Sequence, residues 1–243
     1  MLSLIIPVYN GAEILRRQLP SLIEYLKDIP HEYEIIIVDD FSANPELTKE
    51  VAEEFQCIFL INDTDFGKGG AVRKGMLHAK GDYRIFTDSD VPFEHEAIEH
   101  FVQYLEFKEF DIVVGDRTLP ESEYFDEISR NRKIGSAIFT FIVGRFITTG
   151  LFDTQCGLKG FRAAIAEDLF SVGRINGFAF DVEVLYIALK RNYDIKRLPV
   201  RLRSNESSTV KVFSHGIRMV MDLFRIKIFH VMGKYRKKTK RDK

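Results

Sequence analysis

Short β-branched runs alternate with helical patterns along the first half of this 243-residue chain. Five runs are apolar enough to form buried strands, at 2–8, 33–40, 57–62, 82–88 and 111–116. The segments between them have the spacing of amphipathic helices, and they cover 12–27, 45–55, 69–79 and 94–107. This alternation predicts an α/β fold with a mostly parallel, Rossmann-like sheet and helices on both faces.

The pattern changes after residue 150. The sequence predicts three further elements there: a strand at 157–161, a helix at 178–190 and an extended segment at 194–202. A long amphipathic helix follows at 213–232, and the last ten residues are strongly basic. We therefore expect one domain over 1–212, with a C-terminal helix and tail over 213–243.

The composition is that of an ordinary globular protein, with 45% hydrophobic and 29% charged residues. A net charge of −1 gives no general attraction to nucleic acid, so no such partner is expected. Cys57 and Cys156 are too few for a disulfide framework or a zinc cluster, and they suit a reducing compartment. The chain does not begin with a signal-peptide pattern, and no run reaches the roughly 18 apolar residues of a membrane span. We expect a protein of the cytoplasm or of the cytoplasmic face of a membrane.

Polar or acidic side chains follow each of the first five predicted strands. They are Tyr9 and Asn10, Asp39 and Asp40, Asn62 and Asp63, Asp88 and Asp90, and Asp116 and Arg117. A single acidic strand end is typical of a turn. Because the carboxyl ends of parallel strands meet at one edge of the sheet, where such folds bind ligands, several together indicate a site.

Two carboxylates with one residue between them, in "FTDSDVPF" (86–93), repel each other unless a partner offsets the charge. A divalent metal ion would do so by bridging them to a diphosphate, because Mg²⁺ takes few carboxylates and several phosphate oxygens. Asp90 would be the direct ligand, and Asp88 would lie on the metal or on a ribose. The spacing leaves Mg²⁺ and Mn²⁺ equally open.

Two other segments favour a nucleotide. "VDDFS" (38–42) has a second acidic pair, able to accept hydrogen bonds from a nucleobase and a ribose. "GKGGAVRKGM" (67–76) places Lys68 and Arg73 where a glycine-rich loop enters a helix, which suits phosphate. The alternative for these glycines is a tight turn with close packing. Together, the segments predict a nucleoside diphosphate that carries a transferable group.

These motifs resemble those of the inverting family 2 glycosyltransferases, which have the GT-A fold. The resemblance begins with "IIPVYN" (5–10), "VDDFS", "GKGGAVRKGM" and "TDSD" (87–90). It narrows to the polyprenyl-phosphate sugar synthases, above all the dolichyl-phosphate glucosyltransferases, through "VVGDR" (113–117), "DTQCGLKGF" (153–161), "FAFDVEVLYIA" (178–188) and "LPVRLR" (198–203). It covers nearly the whole chain, with the motifs in the family's order.

The resemblance implies roles for the matching residues. Pro7 and Tyr9 would line a uracil pocket, and Asp88 and Asp90 would hold the metal and the diphosphate. The residues expected to bind the nucleotide are Pro7, Tyr9, Asp39, Asp40, Lys68, Arg73 and Asp88. Those expected to bind the acceptor's phosphate are Arg117, Arg130, Arg132 and Arg203, and Arg203 with Lys211 is also expected to close over the diphosphate. Those implied at the reacting centre are Arg117, Asp153, Asp181 and Glu183.

The implied reaction moves a hexose, from UDP-glucose, to a polyprenyl or dolichyl phosphate with inversion. A phosphomonoester is already nucleophilic at neutral pH, so its enzyme needs arginines more than a general base. A saccharide acceptor is the alternative, and it would need Asp181 or Asp153 as base. A nucleotide-sugar-binding protein without turnover is the other alternative.

A lipid-linked acceptor requires contact with a membrane surface. The pattern at 131–150 is strongly apolar, and the helix at 213–232 leads into the basic tail, which attracts anionic headgroups. The alternative is that both helices pack on the protein or form a homo-oligomer interface.

Overall fold

The fold was analysed in a computed structural model that describes residues 1–64, 66–123, 153–203 and 212–236, with the backbone alone at 212–217. Its seven strands form one sheet with the order β3-β2-β1-β4-β6-β5-β7. They are β1 (Leu2–Val8), β2 (Tyr33–Asp39), β3 (Ile58–Ile61), β4 (Tyr83–Phe86), β5 (Ile112–Asp116), β6 (Lys159–Arg162) and β7 (Ile195–Pro199). The prediction of an α/β fold with a mostly parallel sheet is confirmed.

The described helices cover both faces of this sheet. They are α1 (Ala12–Asp28), α2 (Pro45–Glu54), α3 (Lys68–His78), α4 (Glu96–Glu106), α5 (Ala163–Val172), α6 (Phe180–Lys190) and α7 (Val212–Val231). The sequence analysis missed α5, because its apolar residues follow β6 without an intervening turn signal. No helix within the described ranges combines the length and the apolarity needed to cross a membrane.

Strand β1 lies inside the sheet, between β2 and β4, and is buried on both faces. Its Leu4 and Ile6 side chains pack with α1, α2 and α4, whereas Ile5 between them packs with α3, α5 and α6. This follows from the two-residue period of a strand, whose successive side chains point to opposite faces. Both faces therefore exclude water, which explains why the strand has no polar alternation.

One strand runs against the others. β6 pairs antiparallel with β4 and with β5, while the remaining pairs are parallel. The carboxyl ends of β1, β2, β3, β4 and β5 therefore share one edge of the sheet, and β6 begins at that edge. Because α6 also begins near it, the residues that follow the parallel strands and those at the start of β6 and α6 are brought together.

Several predicted features lie outside the described residues. They are Arg130, Arg132, Lys211, the apolar pattern at 131–150 and the tail at 237–243. Their roles stay predictions, as does the division of the chain at residue 212.

Candidate active site

The acidic pair that follows β4 is in contact with a lysine. Lys68, the first residue of α3, places its Nζ 2.5 Å from Oδ1 of Asp88. Burial alone would lower the pKa of Lys68, but the carboxylates of Asp88, Asp181 and Asp90 raise it above the ordinary value. The ammonium group is therefore held charged by three acidic side chains that the fold gathers at one place.

A second lysine is paired with Asp181 deep in the same region. Lys159 has none of its surface exposed, and its Nζ lies 2.7 Å from Oδ1 of Asp181 and 2.6 Å from the carbonyl oxygen of Cys156. Its charge also lies over the ring of Phe86, 5.3 Å from the centroid. Burial raises the pKa of Asp181, and the attraction of Lys159 acts against that rise. Lys159 was not predicted as a site residue. It is the one charged residue of the segment predicted as a strand at 157–161, and a buried lysine in such a segment indicates a charged partner.

The third charged pair joins Arg117 and Asp153. The backbone N–H and Nε of Arg117 donate to Oδ2 of Asp153, at 2.7 and 2.9 Å, and Nη2 donates to Oδ1 at 2.7 Å. Burial would raise the pKa of Asp153, but these hydrogen bonds hold it below the ordinary value. The pair fixes the guanidinium plane of Arg117 just beyond β5, so the structure brings together two residues that are distant in sequence.

The glycine-rich loop packs tightly against the segment before α6. The N–H groups of Gly69 and Gly70 both donate to the carbonyl oxygen of Asn176, at 2.7 and 3.2 Å. A Cβ on Gly69 would lie 2.5 Å from Cβ of Phe180. Close packing, the alternative considered for these glycines, is therefore observed. The N–H groups of Gly69 and Gly70, at the start of α3, are thus bonded within the protein.

Arg73 has a structural environment that differs from the expected one. Its Nη1 donates to Oδ1 of Asn176 at 2.7 Å, and its Nη2 donates to the carbonyl oxygen of Ile175 at 2.8 Å. In the described part of the chain, its buried Nε has no hydrogen-bond partner. In this arrangement Arg73 ties α3 to the segment before α6, and its role at a phosphate stays a prediction.

Glu183, which was expected at the reacting centre, is completely buried and hydrogen-bonded within the protein. Its carboxylate accepts hydrogen bonds from the backbone N–H groups of Arg174 and Ile175, each at 2.9 Å, and from the Tyr235 hydroxyl at 2.7 Å. Tyr235 follows α7, so this contact ties the C-terminal segment to the loop that precedes α6.

The acidic residues predicted to bind the nucleotide at the end of β2 are hydrogen-bonded within the protein. Asp39 is buried and accepts hydrogen bonds from the Ser42 N–H at 2.8 Å and the Thr48 hydroxyl at 2.6 Å, so it stabilises its own loop. Asp40 accepts a hydrogen bond from Nδ2 of Asn62 at 2.9 Å, across the ends of β2 and β3. The two acids of "VDDFS" therefore have different environments.

Two exposed aromatic side chains follow β1 and β2 at the same edge of the sheet. Tyr9 is 62% exposed and Phe41 is 54% exposed, whereas Pro7 is buried within β1. Asn10 joins their loops, because its N–H donates to the Ser42 hydroxyl and its Oδ1 accepts from the Ala43 N–H, each at 2.8 Å. Phe41 was not predicted as a site residue, and its exposure in the structure makes it a candidate.

The backbone of Arg203 lies next to the loop that follows Asp90, because its N–H donates to the carbonyl oxygen of Pro92 at 2.7 Å. Its Nη2 donates to the Ser21 hydroxyl on α1 at 2.8 Å, and its Nη1 contacts Nε2 of His95. The expected placement of Arg203 at a phosphate is not seen in this arrangement, because the guanidinium packs between α1 and the segment before α4.

We expect His95 to make the protein sensitive to acid. Burial, together with the nearby Arg203, lowers the pKa of His95 from 6.5 to about 4. Between these values the unfolded chain binds a proton that the folded protein does not, so the free energy of unfolding falls as the pH drops through this range. Urea denaturation at several pH values measures this loss of stability. A His95→Asn variant should lose correspondingly less stability, and equal acid sensitivity in both proteins would contradict this assignment.

We expect Gly157→Ala to displace the Asp88 carboxylate, because a Cβ there would lie 2.0 Å from its Oδ2. The side chain of Asp88 can turn aside, so the loss of thermal stability should be small. The affinity for UDP with Mn²⁺ should fall about 10–100-fold, as it does when groups that orient a metal ligand are disturbed. Calorimetric titration measures this fall. In the control, Gly177→Ala, the nearest atom would be 3.7 Å away, so unchanged affinity is expected; equal losses in both variants would argue against the effect at Asp88.

The acidic cluster, which consists of Asp88, Asp90 and Asp181, fits a divalent ion only if further ligands come from outside the protein. Among the residues that the structure describes, no three His, Cys, Asp or Glu side chains are grouped to hold a metal ion. Asp88 and Asp90 supply two carboxylates, and Mg²⁺ is commonly bound by one or two carboxylates together with substrate phosphates and water. The Lys68 ammonium already contacts one of these carboxylates as a cation. The residues therefore fit an ion that arrives with a diphosphate.

Comparison with known proteins shows the family to which the chain belongs. The family model described as glycosyl transferase family 2 matches residues 3–170. A dolichyl-phosphate beta-glucosyltransferase from Dictyostelium discoideum is 32% identical over 254 residues, covering 98% of this chain and 77% of the relative. Another from Trichomonas vaginalis, ALG5D, is 34% identical over 243 residues, covering 94% of this chain and 73% of the relative.

The fold is similar to that of glucosyl-3-phosphoglycerate synthase from Mycobacterium tuberculosis, crystallised with Mn²⁺, UDP and glucosyl-3-phosphoglycerate. The TM-score is 0.70 at 15% identity, over 93% of this chain and 79% of the synthase. At this identity the likeness concerns the fold, which is the GT-A fold. The resemblance read from the motifs is therefore confirmed, and this chain is a glycosyltransferase that belongs to glycosyl transferase family 2.

Proposed function

We propose that this enzyme transfers glucose from UDP-glucose to a dolichyl or other polyprenyl phosphate, with inversion and with a divalent metal ion. The observation that carries the proposal is the Arg117 guanidinium, which Asp153 orients at the edge of the sheet beside the acidic cluster. The relatives named dolichyl-phosphate beta-glucosyltransferases support the acceptor class. The division into a catalytic domain at 1–212 and a C-terminal helix and tail at 213–243 is part of the same proposal.

The donor would lie across the carboxyl ends of β1, β2 and β4. Tyr9 and Phe41 offer exposed aromatic surface for a base, and Asp40 with Asn62 offers hydrogen bonds to a base or ribose. Asp88 and Asp90 would hold Mg²⁺ or Mn²⁺, which when bound neutralises the charge of the departing diphosphate. Lys68 would contact the diphosphate from the opposite side. The similar synthase was crystallised with Mn²⁺ and UDP, which supports a uridine nucleotide and a divalent metal ion as ligands.

The acceptor's phosphate would be placed by Arg117, together with Arg130, Arg132 and a rearranged Arg203. A phosphomonoester has a second pKa of about 6, so it is mostly dianionic at neutral pH and attacks without a general base. Asp153 is a weak base because its pKa is lowered, and we assign it the orientation of Arg117. Asp181 would then act through its charge near the anomeric carbon.

A saccharide acceptor is the second candidate, and the environment of Asp181 favours it. Burial raises the pKa of this carboxyl, as suits a general base. The contact of its Oδ1 with Lys159 argues against that role, because it occupies one of the two oxygens that a proton would reach.

We also propose that the enzyme works at the cytoplasmic face of a membrane. An apolar ridge of α7 faces solvent; it consists of Val220, Met221, Phe224, Ile228 and Val231, followed by Met232. Phe224, the one aromatic residue of this ridge, is 68% exposed. A helix with such a ridge and flanking basic residues is suited to lie in the membrane interface, where the polyprenyl chain of the acceptor is found. A homo-oligomer that buries the ridge is the alternative.

The decisive assay offers the full chain several labelled donors with dolichyl or undecaprenyl phosphate in detergent. The donors are UDP-glucose, UDP-galactose, UDP-N-acetylglucosamine and GDP-mannose, each with Mg²⁺ or Mn²⁺. We expect label from UDP-glucose to enter the organic phase with either metal or both, and EDTA to abolish transfer.

The other outcomes separate the candidates. Slow release of UDP without labelled lipid would favour a saccharide acceptor. Binding of UDP-glucose without any turnover, in the presence of lipid and saccharide acceptors, would favour a protein that only binds nucleotide sugars.

A further inference from the structure

A groove lined by basic side chains lies between the C-terminal ends of α6 and α7. It has a volume of about 300 Å³. The residues that line it are Ile187, Lys190, Arg191, His230, Val231, Gly233, Tyr235 and Arg236. None of them is acidic, although the whole chain has a net charge of −1.

Arg191 is paired with Asp168, but three other cations at this groove have no ion-pair partner among the described residues. Lys190 and Lys227 both lie over the ring of Tyr186, with Nζ 5.7 and 4.8 Å from its centroid. Partial burial and the charge of Lys190 lower the pKa of Lys227. Among the described residues, neither these lysines nor Arg236 forms an ion pair. The partial negative charge of the two helix ends offsets only part of this repulsion.

The groove has a built floor. Arg191 donates from Nη2 to the carbonyl oxygen of Tyr235 at 2.7 Å, and its Nη1 is paired with Asp168. Tyr235 in turn donates its hydroxyl to the buried Glu183. The ring of His230 meets that of Tyr186 edge to face, 5.4 Å between centroids. These contacts order the groove, which Lys190 and Arg236 line, and Lys227 lies next to Lys190 over the ring of Tyr186.

The groove adjoins the apolar ridge of α7 but lies far from the candidate active site. Met219, near the start of α7, contacts Gln155, two residues from Asp153. Val231 at the rim lies about 18 Å further along the helix axis. A membrane that covers the ridge would therefore meet the groove at one end of α7 and the transfer site at the other.

We propose that this groove binds the phosphate of an anionic phosphomonoester lipid headgroup, as an anchor separate from the acceptor site. The proposal rests on the membrane docking proposed above. Several ammonium and guanidinium donors converge there, which suits a phosphate whose oxygens are unsubstituted. The neighbouring Ile228, Val231 and Met232 would contact the acyl region of the same lipid.

The test measures co-sedimentation of the full chain with vesicles. The vesicles contain phosphatidylcholine alone, phosphatidylcholine with phosphatidic acid, or phosphatidylcholine with phosphatidylserine at the same surface charge. The groove variant is Lys190→Gln/Lys227→Gln, and the matched control is Arg218→Gln/Arg225→Gln, which removes two exposed charges of α7 outside the groove. Circular dichroism confirms that both variants are folded.

We expect the wild-type protein to prefer phosphatidic acid. The groove variant should lose about 30-fold in partition to those vesicles, and with it the preference. The control variant should keep the preference and lose similar affinity for both anionic vesicles. Equal losses in both variants would indicate diffuse attraction and overturn the proposal. Equal binding to all three vesicles would also overturn it while leaving docking by the ridge in place, and glycerol 3-phosphate bound as tightly as the vesicles would overturn the lipid assignment.

A transfer assay in solution keeps this result separate from the proposed reaction. With a short-chain, water-soluble polyprenyl phosphate, the groove variant should transfer glucose as fast as the wild-type protein. A slower groove variant would mean that these lysines serve the transfer site and would overturn the anchor. If the wild-type protein showed no transfer, the proposed reaction would be refuted. The vesicle experiment would still test whether the groove binds a lipid phosphate.

Discussion

Replacing Asp90 by alanine is expected to lower kcat/KM for sugar transfer about 1,000-fold or more. A metal ion contributes several kcal/mol to stabilising a departing diphosphate, and Asp90 is the residue proposed to hold it directly. The loss should appear in initial rates at saturating Mn²⁺. Binding of Mn²⁺ in the presence of UDP, followed by its electron paramagnetic resonance signal, should fall in parallel.

Asp63 provides the matched control for this substitution. It is an exposed acid that follows β3 at the same edge of the sheet. Asp63→Ala should therefore keep both activity and Mn²⁺ binding. If Asp90→Ala kept full activity with Mn²⁺ bound, or if both variants lost activity equally, the assignment of Asp90 as the metal ligand would be refuted.

Lys159→Met is expected to lower the free energy of unfolding by about 3–5 kcal/mol. Lys159 is completely buried and Asp181 is 4% exposed, so removing one charge leaves the other buried without its partner. Urea denaturation of the wild-type protein and the variant measures the difference. The effect is large because neither group can reach water in the folded protein.

The double variant Lys159→Met/Asp181→Leu separates the cost of leaving Asp181 unpaired from the net contribution of the ion pair to stability. Replacing both charges of a buried pair with apolar groups of similar size is often neutral or stabilising, so much of the lost stability should return. If this folded double variant fails to transfer sugar, the charges serve the reaction. A double variant as unstable as the single one would show that the pair itself stabilises the fold.

Much of the fold could be read from local patterns in the chain. Strand β1 was predicted to its last residue because an apolar run buried on both faces has no competing pattern. The placement of Asp88 and Asp90 at the sheet edge followed from their position just after β4, which can be read from the local sequence. The family also followed from short motifs in a constant order, which need no knowledge of packing.

What the sequence alone determined is thus the strand–helix alternation, the edge at which the polar residues gather and the family. The tertiary structure alone decided which of those residues face one another. Lys159 meets Asp181, and Arg117 meets Asp153, only because β6 runs antiparallel between β4 and β5. Likewise, the guanidinium of Arg73 binds Asn176, and that of Arg203 contacts His95 and Ser21. Such contacts depend on how elements distant in sequence pack together, and the periodicity of a single segment carries no information about its neighbours in space.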